Sequence, residues 1–147
     1  MEANVTTQPS LSITRTFAAP RERVFQAWTD PEELKKWWGP EGYTLPLVEV
    51  DLKVGGIYRF AMKPPDGEVS YLTGEYRVVT APEKLVYTWR WEGSVKNPEE
   101  TLVTVEFRDR GETTEVVVTH EKFRDEEQCH LHEMGWNACL VRLPALF

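Results

Sequence analysis

The chain has 147 residues, 41% of them hydrophobic and 28% charged, which fits one globular domain with enough chain to build a core. A net charge of −7 with scattered Lys and Arg excludes nucleic acid and an anionic membrane surface as partners. No stretch has the length of a membrane-spanning helix, and residues 1–10 lack the regions of a signal peptide.

Residues 1–10 read as a polar tail and 11–147 as a single domain. Leu11–Phe17 alternates like a strand. Pro20 opens a helix to about Thr29, with Val24, Phe25 and Trp28 as its apolar stripe. A second short helix follows at once. Asp30 caps it, Pro31 suits its first position, Glu33 completes a capping box, and Gly39-Pro40 stops it. Leu34, Trp37 and Trp38 share one face, and two adjacent tryptophans demand a large apolar partner.

From Leu45 the period switches to two. Val48, Val50 and Leu52 share one face of the next predicted strand, Leu47–Leu52, and Gly55-Gly56 marks a hairpin. Ile57–Met62 gathers Tyr58, Phe60 and Met62, and Pro64–Gly67 is a turn. Val69–Val79 carries Gly74 inside it, a bend or bulge where a sheet curls. Leu85–Trp91 aligns Leu85, Tyr87, Trp89 and Trp91, and Glu92–Glu100 is the longest predicted loop. Strands Leu102–Phe107 and Thr114–Glu121 meet across Asp109–Gly111.

A long helix runs from the N-cap Asp125 to about Arg142, with Pro144 ending it. Trp136, Leu140 and Leu143 form its stripe. Met134, Ala138 and Val141 widen that stripe enough to predict a largely enclosed helix. Cys129 and Cys139 lie on this helix, separated by roughly 15 Å of rise, too far for a disulfide. A reducing, cytoplasmic setting follows.

An antiparallel sheet with one dry face needs a cover, and only the terminal helix is long enough. The expected fold is therefore α+β: a helix grip, with a curved antiparallel sheet of six to seven strands wrapped round the C-terminal helix. Two short helices lie between its first two strands.

The chain carries Phe17-Ala-Ala-Pro20, Arg23–Trp28, Asp30-Pro31, Trp37-Trp38-Gly39-Pro40, Val54-Gly-Gly56, Gly74-Glu-Tyr76, Glu83-Lys-Leu85, Thr119-His120-Glu121 and Gly135-Trp136. With these motifs in this order it resembles the START-like (Bet v-like) superfamily, and within it the activators of the ninety-kilodalton heat-shock-protein ATPase. The resemblance implies an apolar cavity between sheet and long helix. It does not imply one activity, since the superfamily holds binders, cyclases and co-chaperone modules. The family's co-chaperones carry a further N-terminal domain, which a first strand near residue 11 leaves no room for.

Several residues are candidates for lining such a cavity. Tyr58, Phe60, Tyr87, Trp89 and Trp91 lie on neighbouring strands, either as core packing or as cavity walls, with Trp37, Trp38, His132 and Trp136 facing them from the helices. His120 shares a face with Val116 and Val118, as a satisfied core histidine or as the cavity's polar anchor. Gly135 sits mid-helix at a cost of about 1 kcal/mol relative to alanine. It reflects either close approach to the sheet or to Trp37 and Trp38, or room for a ligand.

Cys129, His132 and Glu133 can share a helix face, but no second cluster completes a metal site. Gly55-Gly56 precedes a strand, which argues against a phosphate cradle, and no activated nucleophile is visible. No metal or cofactor is expected.

Three readings follow. The first is binding of a small apolar or aromatic molecule. The second is an interaction module for a chaperone or another protein, as a monomer or homodimer, with Leu140–Phe147 packing on its own sheet or on a second subunit. The third is a cyclase- or dehydratase-like enzyme using His120 and a cavity tyrosine as acid–base pair.

Overall fold

Among the described residues, seven strands and three helices follow the order expected from the sequence. The computed structural model describes residues 8–93 and 100–147. Most of the polar segment 1–10 and of the loop Glu92–Glu100 lies outside the described residues. The elements are β1 (Leu11–Phe17), α1 (Arg21–Thr29), α2 (Pro31–Trp37), β2 (Thr44–Val50), β3 (Ile57–Lys63), β4 (Ser70–Thr80), β5 (Lys84–Trp91), β6 (Thr101–Asp109), β7 (Thr114–Glu121) and α3 (Glu126–Leu140).

The strands form one antiparallel sheet in the order β1-β7-β6-β5-β4-β3-β2. β1 and β2 are consecutive strands yet lie at opposite edges, so α1 and α2 bridge the sheet from one edge to the other. Both helices bury their apolar stripes on the dry face: Val24, Phe25 and Trp28 from α1, Leu34 and Trp37 from α2. β6 and β7 show the alternation this requires, with Val103, Val105 and Phe107, and Val116, Val118 and His120, all turned inward.

Asp30 serves both short helices. Its backbone N–H donates to Gln26 O at 2.9 Å, ending α1, while its carboxylate accepts from the Glu32 N–H at 2.9 Å, starting α2. With that N–H already used, the expected capping box does not form. Glu33 turns instead to Arg23 at 2.8 Å and Lys36 at 3.3 Å. α2 ends where Gly39 takes φ 91°, a conformation that favours glycine. The guanidinium of Arg142 then donates to the carbonyls of Gly39 at 2.7 Å, Lys36 at 3.1 Å and Pro40 at 3.3 Å. A cation thus satisfies the electronegative end of α2 and ties it to the segment after α3.

Gly74 is required by close approach. A Cβ there would collide with the Thr88 carbonyl and the Tyr58 ring. Tyr58 crosses this bare position to donate its hydroxyl to Thr88 O at 2.6 Å, and Thr88 Oγ1 accepts from the Glu75 N–H at 2.8 Å. The β4–β5 register shifts between Tyr76 and Val78, so the bulge lies just beyond the glycine.

Two elements differ from their sequence-based expectation. β2 is Thr44–Val50, interrupted between Thr44 and Leu47 where Pro46 offers no N–H, and Leu52 falls outside it. α3 stops at Leu140, and Leu143–Leu146 forms a separate 3-10 turn holding Pro144. Nor is α3 enclosed. It buries Cys129, Trp136, Cys139 and Leu140 and leaves Leu131 and Met134 exposed, with Val141 just past its end exposed as well, because no described residue packs on its outer side. No helix among the described residues is long and apolar enough to cross a membrane.

Candidate functional site

One face of α3 and the ends of β3, β5 and α2 leave a cleft of about 240 Å³ between them. From α3 come Gln128, Leu131, His132, Gly135, Trp136 and Cys139, spaced so that they share one helix face. Opposite lie Met62, Trp89 and Trp91 from the sheet, and Trp38 and Pro40 from the end of α2. Trp38 is set there by the stop at Gly39, whose N–H donates to Cys139 Sγ at 3.2 Å. Leu131, half exposed, forms part of the rim.

Size and chemistry limit what this cleft can hold. Its volume exceeds the roughly 150 Å³ cavity known to admit benzene and falls short of the ~300 Å³ at which drug-sized pockets begin. One or two rings fit. Among the described residues no Lys, Arg, Asp or Glu lines it, so an ionic guest would lose its hydration without gaining a partner there. The indole N–H groups of Trp38 and Trp89, on two lining rings, have no hydrogen-bond partner among the described residues.

Two histidines belong to this region, His132 in the cleft wall and His120 behind it, each held by a tryptophan. Trp136 Nε1 donates to His120 Nδ1 at 3.0 Å, and His120 Nε2 lies 2.7 Å from Thr101 Oγ1, which donates on to Trp89 O at 3.2 Å. An indole can only donate, so the His120 proton resides on Nε2. The second pair has the opposite tautomer. Trp91 Nε1 donates to His132 Nε2 at 3.1 Å, while His132 Nδ1 donates to Gln128 O at 2.7 Å. Burial, with His132 nearby, holds His120 well below the usual imidazole range. Burial also lowers His132, against the opposing effect of its bond to Gln128. Both imidazoles are neutral at pH 7.

The structure brings Trp38, Trp89, Trp91, His132 and Trp136 of the expected set to the cleft and sends the others elsewhere. Tyr58, Phe60 and Tyr87 surround a separate void of about 10 Å³, at the threshold for one water. Burial raises the phenols of Tyr58 and Tyr87. Trp37 is wholly buried, with its N–H on Ala27 O at 2.8 Å. His120 is 0% exposed and bonded at both nitrogens, the satisfied core alternative.

Sequence reasoning missed Gln128, Leu131 and Cys139, although their spacing from His132 and Gly135 already marks one face. It also missed Pro40 and Met62. Burial pushes the Cys139 thiol up to about 11, which disfavours its thiolate at neutral pH. Among the described residues, no group of three or more His, Cys, Asp or Glu is placed to hold a metal ion.

Comparison with known proteins fits this geometry. No curated protein matches the sequence. A protein from Chromobacterium violaceum has the same fold with a TM-score of 0.86 at 28% identity, over 93% of this chain and 95% of that one. An AHSA1 protein from Silicibacter pomeroyi matches with a TM-score of 0.83 at 27% identity, covering 93% and 96%. A Plasmodium falciparum protein described as an HSP90 activator matches with a TM-score of 0.73 at 27% identity, covering 93% and 94%. The family model for activator of Hsp90 ATPase homolog 1-like proteins matches residues 18–147. With a seven-stranded helix grip and a match across nearly its whole length, the chain belongs to this family.

Proposed function

We propose that the chain binds a small, uncharged hydrophobic or aromatic molecule in the cleft between sheet and α3. The observation that carries this reading is the cleft itself: about 240 Å³, walled by four tryptophans, with no charged side chain among the described residues of its lining. Tryptophan supplies broad apolar contact and stacking surface, with the polar side chains of His132 and Gln128 at the edge. Buried free thiols at Cys129 and Cys139 support a reducing, cytoplasmic setting. Titration of the intrinsic tryptophan fluorescence against uncharged one- and two-ring compounds tests the reading. Saturable quenching by at least one is expected, and no change with any of them removes it.

A second reading is engagement of a chaperone. It is favoured by the family match, by the neighbour described as an HSP90 activator, and by the exposed Leu131, Met134 and Val141 along α3. Stimulation of an Hsp90 ATPase by the purified chain, lost in Met134→Glu, is the expected result. No stimulation and no co-precipitation count against it. The cyclase or dehydratase reading has less support, because His120 is sealed off behind Trp89 and Trp136 and already bonded on both sides.

A further inference from the structure

Gly135 lies in the middle of α3, where glycine costs about 1 kcal/mol relative to alanine. Two ordinary reasons for a glycine are absent. Its backbone does not take a positive φ, and a Cβ built on it meets no atom within 4 Å. Gly74 shows what a packing requirement looks like, with a carbonyl and a ring occupying the Cβ position. At Gly135 the Cβ would stand in open space, and the residue lines the cleft.

The geometry points to Gly135 as the residue that sets which guests the cleft admits, and to a flat, uncharged, two-ring molecule as the class it admits. This rests on the ligand-binding reading above. Bare helix backbone between His132, one turn earlier, and Cys139, one turn later, forms a shallow notch in an otherwise side-chain-covered wall. A planar ring can lie against that notch with its other face towards the indoles of Trp38 and Trp89. A methyl group at 135 fills the notch. The gap beside it narrows, which costs a two-ring guest more than a single ring. Among the described residues the lining offers no counter-charge, which favours a neutral guest.

The test uses the full chain and two probes uncharged at neutral pH, p-cresol and 2-naphthol, titrated calorimetrically into wild type, Gly135→Ala and Gly135→Ser. Wild type binds both. Gly135→Ala retains p-cresol within about threefold and weakens 2-naphthol by about tenfold or more, the loss expected when a fitted space is overfilled. Gly135→Ser behaves alike. The free Gly135→Ala protein melts about 3 °C higher than wild type, since the helix gains and no packing is lost. The inference is overturned if 2-naphthol binds the variants as it binds wild type, if both probes weaken equally, or if Gly135→Ala melts lower. Those three results leave the ligand-binding reading standing. Failure of both probes to bind wild type overturns this inference, and the ligand-binding reading falls with it only if the wider fluorescence panel shows no change either.

Discussion

Trp136 donates its indole N–H to His120 Nδ1 at 3.0 Å, and this bond sets the protonation of an imidazole that water does not reach. The proton goes to Nε2, onward to Thr101, and the Thr101 hydroxyl ends the relay at Trp89 O. One buried network therefore links α3, β5, β6 and β7 without any charge.

Trp136→Phe keeps an aromatic ring but removes the donor, leaving Nδ1 buried without a partner. It is expected to destabilise the fold by about 2 kcal/mol or more, from the unmet acceptor plus the smaller ring. Urea denaturation measures this, and a loss below about 0.5 kcal/mol would mean that the bond contributes little.

Both histidines also make stability depend on pH. Their folded pKa values lie below the unfolded value of about 6.5, so the unfolded chain binds more protons in the window below it. Their contribution is fully present above pH 6.5 and is lost as pH falls from there towards the folded values. Melting temperature should drop between pH 7 and pH 5, where most carboxylates stay ionised. His132→Gln, which retains an acceptor for Trp91, should flatten part of that slope. A parallel slope in the variant would remove His132 from the explanation.

Gly74→Ala is expected to be severe, about 3 kcal/mol or more, because the new methyl meets the Thr88 carbonyl and the Tyr58 ring in the middle of the sheet. Thermal melts would show it directly. Tyr58→Phe in the same background should recover part of the loss by freeing the ring from its bond to Thr88 O.

Arg142→Met removes three guanidinium contacts to the end of α2 and keeps much of the aliphatic stem. A loss of about 2 kcal/mol is expected, with faster amide hydrogen exchange at Gly39. Arg142→Lys should recover only part, since one ammonium cannot reproduce the planar fork. Full recovery by lysine would show that charge alone suffices.

The element order was legible because punctuation residues wrote it. Asp30-Pro31, Gly39-Pro40, Gly55-Gly56 and Pro64–Gly67 each stop or turn the chain for a stated physical reason, and the period changes between them. The division of the inner face was not legible. Trp37 and Trp38 are neighbours in sequence, yet one is sealed in the core and the other walls the cleft, because the helix ends between them. Tyr58 and Tyr87 alternate like Trp89 but face the filled interior, an outcome set by sheet curvature near Gly74. Gly135 announced itself as costly, but only the space around its missing side chain separates packing from room for a guest.

All six tryptophans belong to one chain of ring contacts, running from Trp37 to Trp28 and Trp38, then through Trp136 and Trp89 to Trp91, with centroids 4.8–6.4 Å apart. At such separations energy transfer among the indoles is expected to compete with emission, which would couple their fluorescence. A molecule settling beside Trp89 would dim the light absorbed by Trp28 as well. The fold carries its own optical reporter.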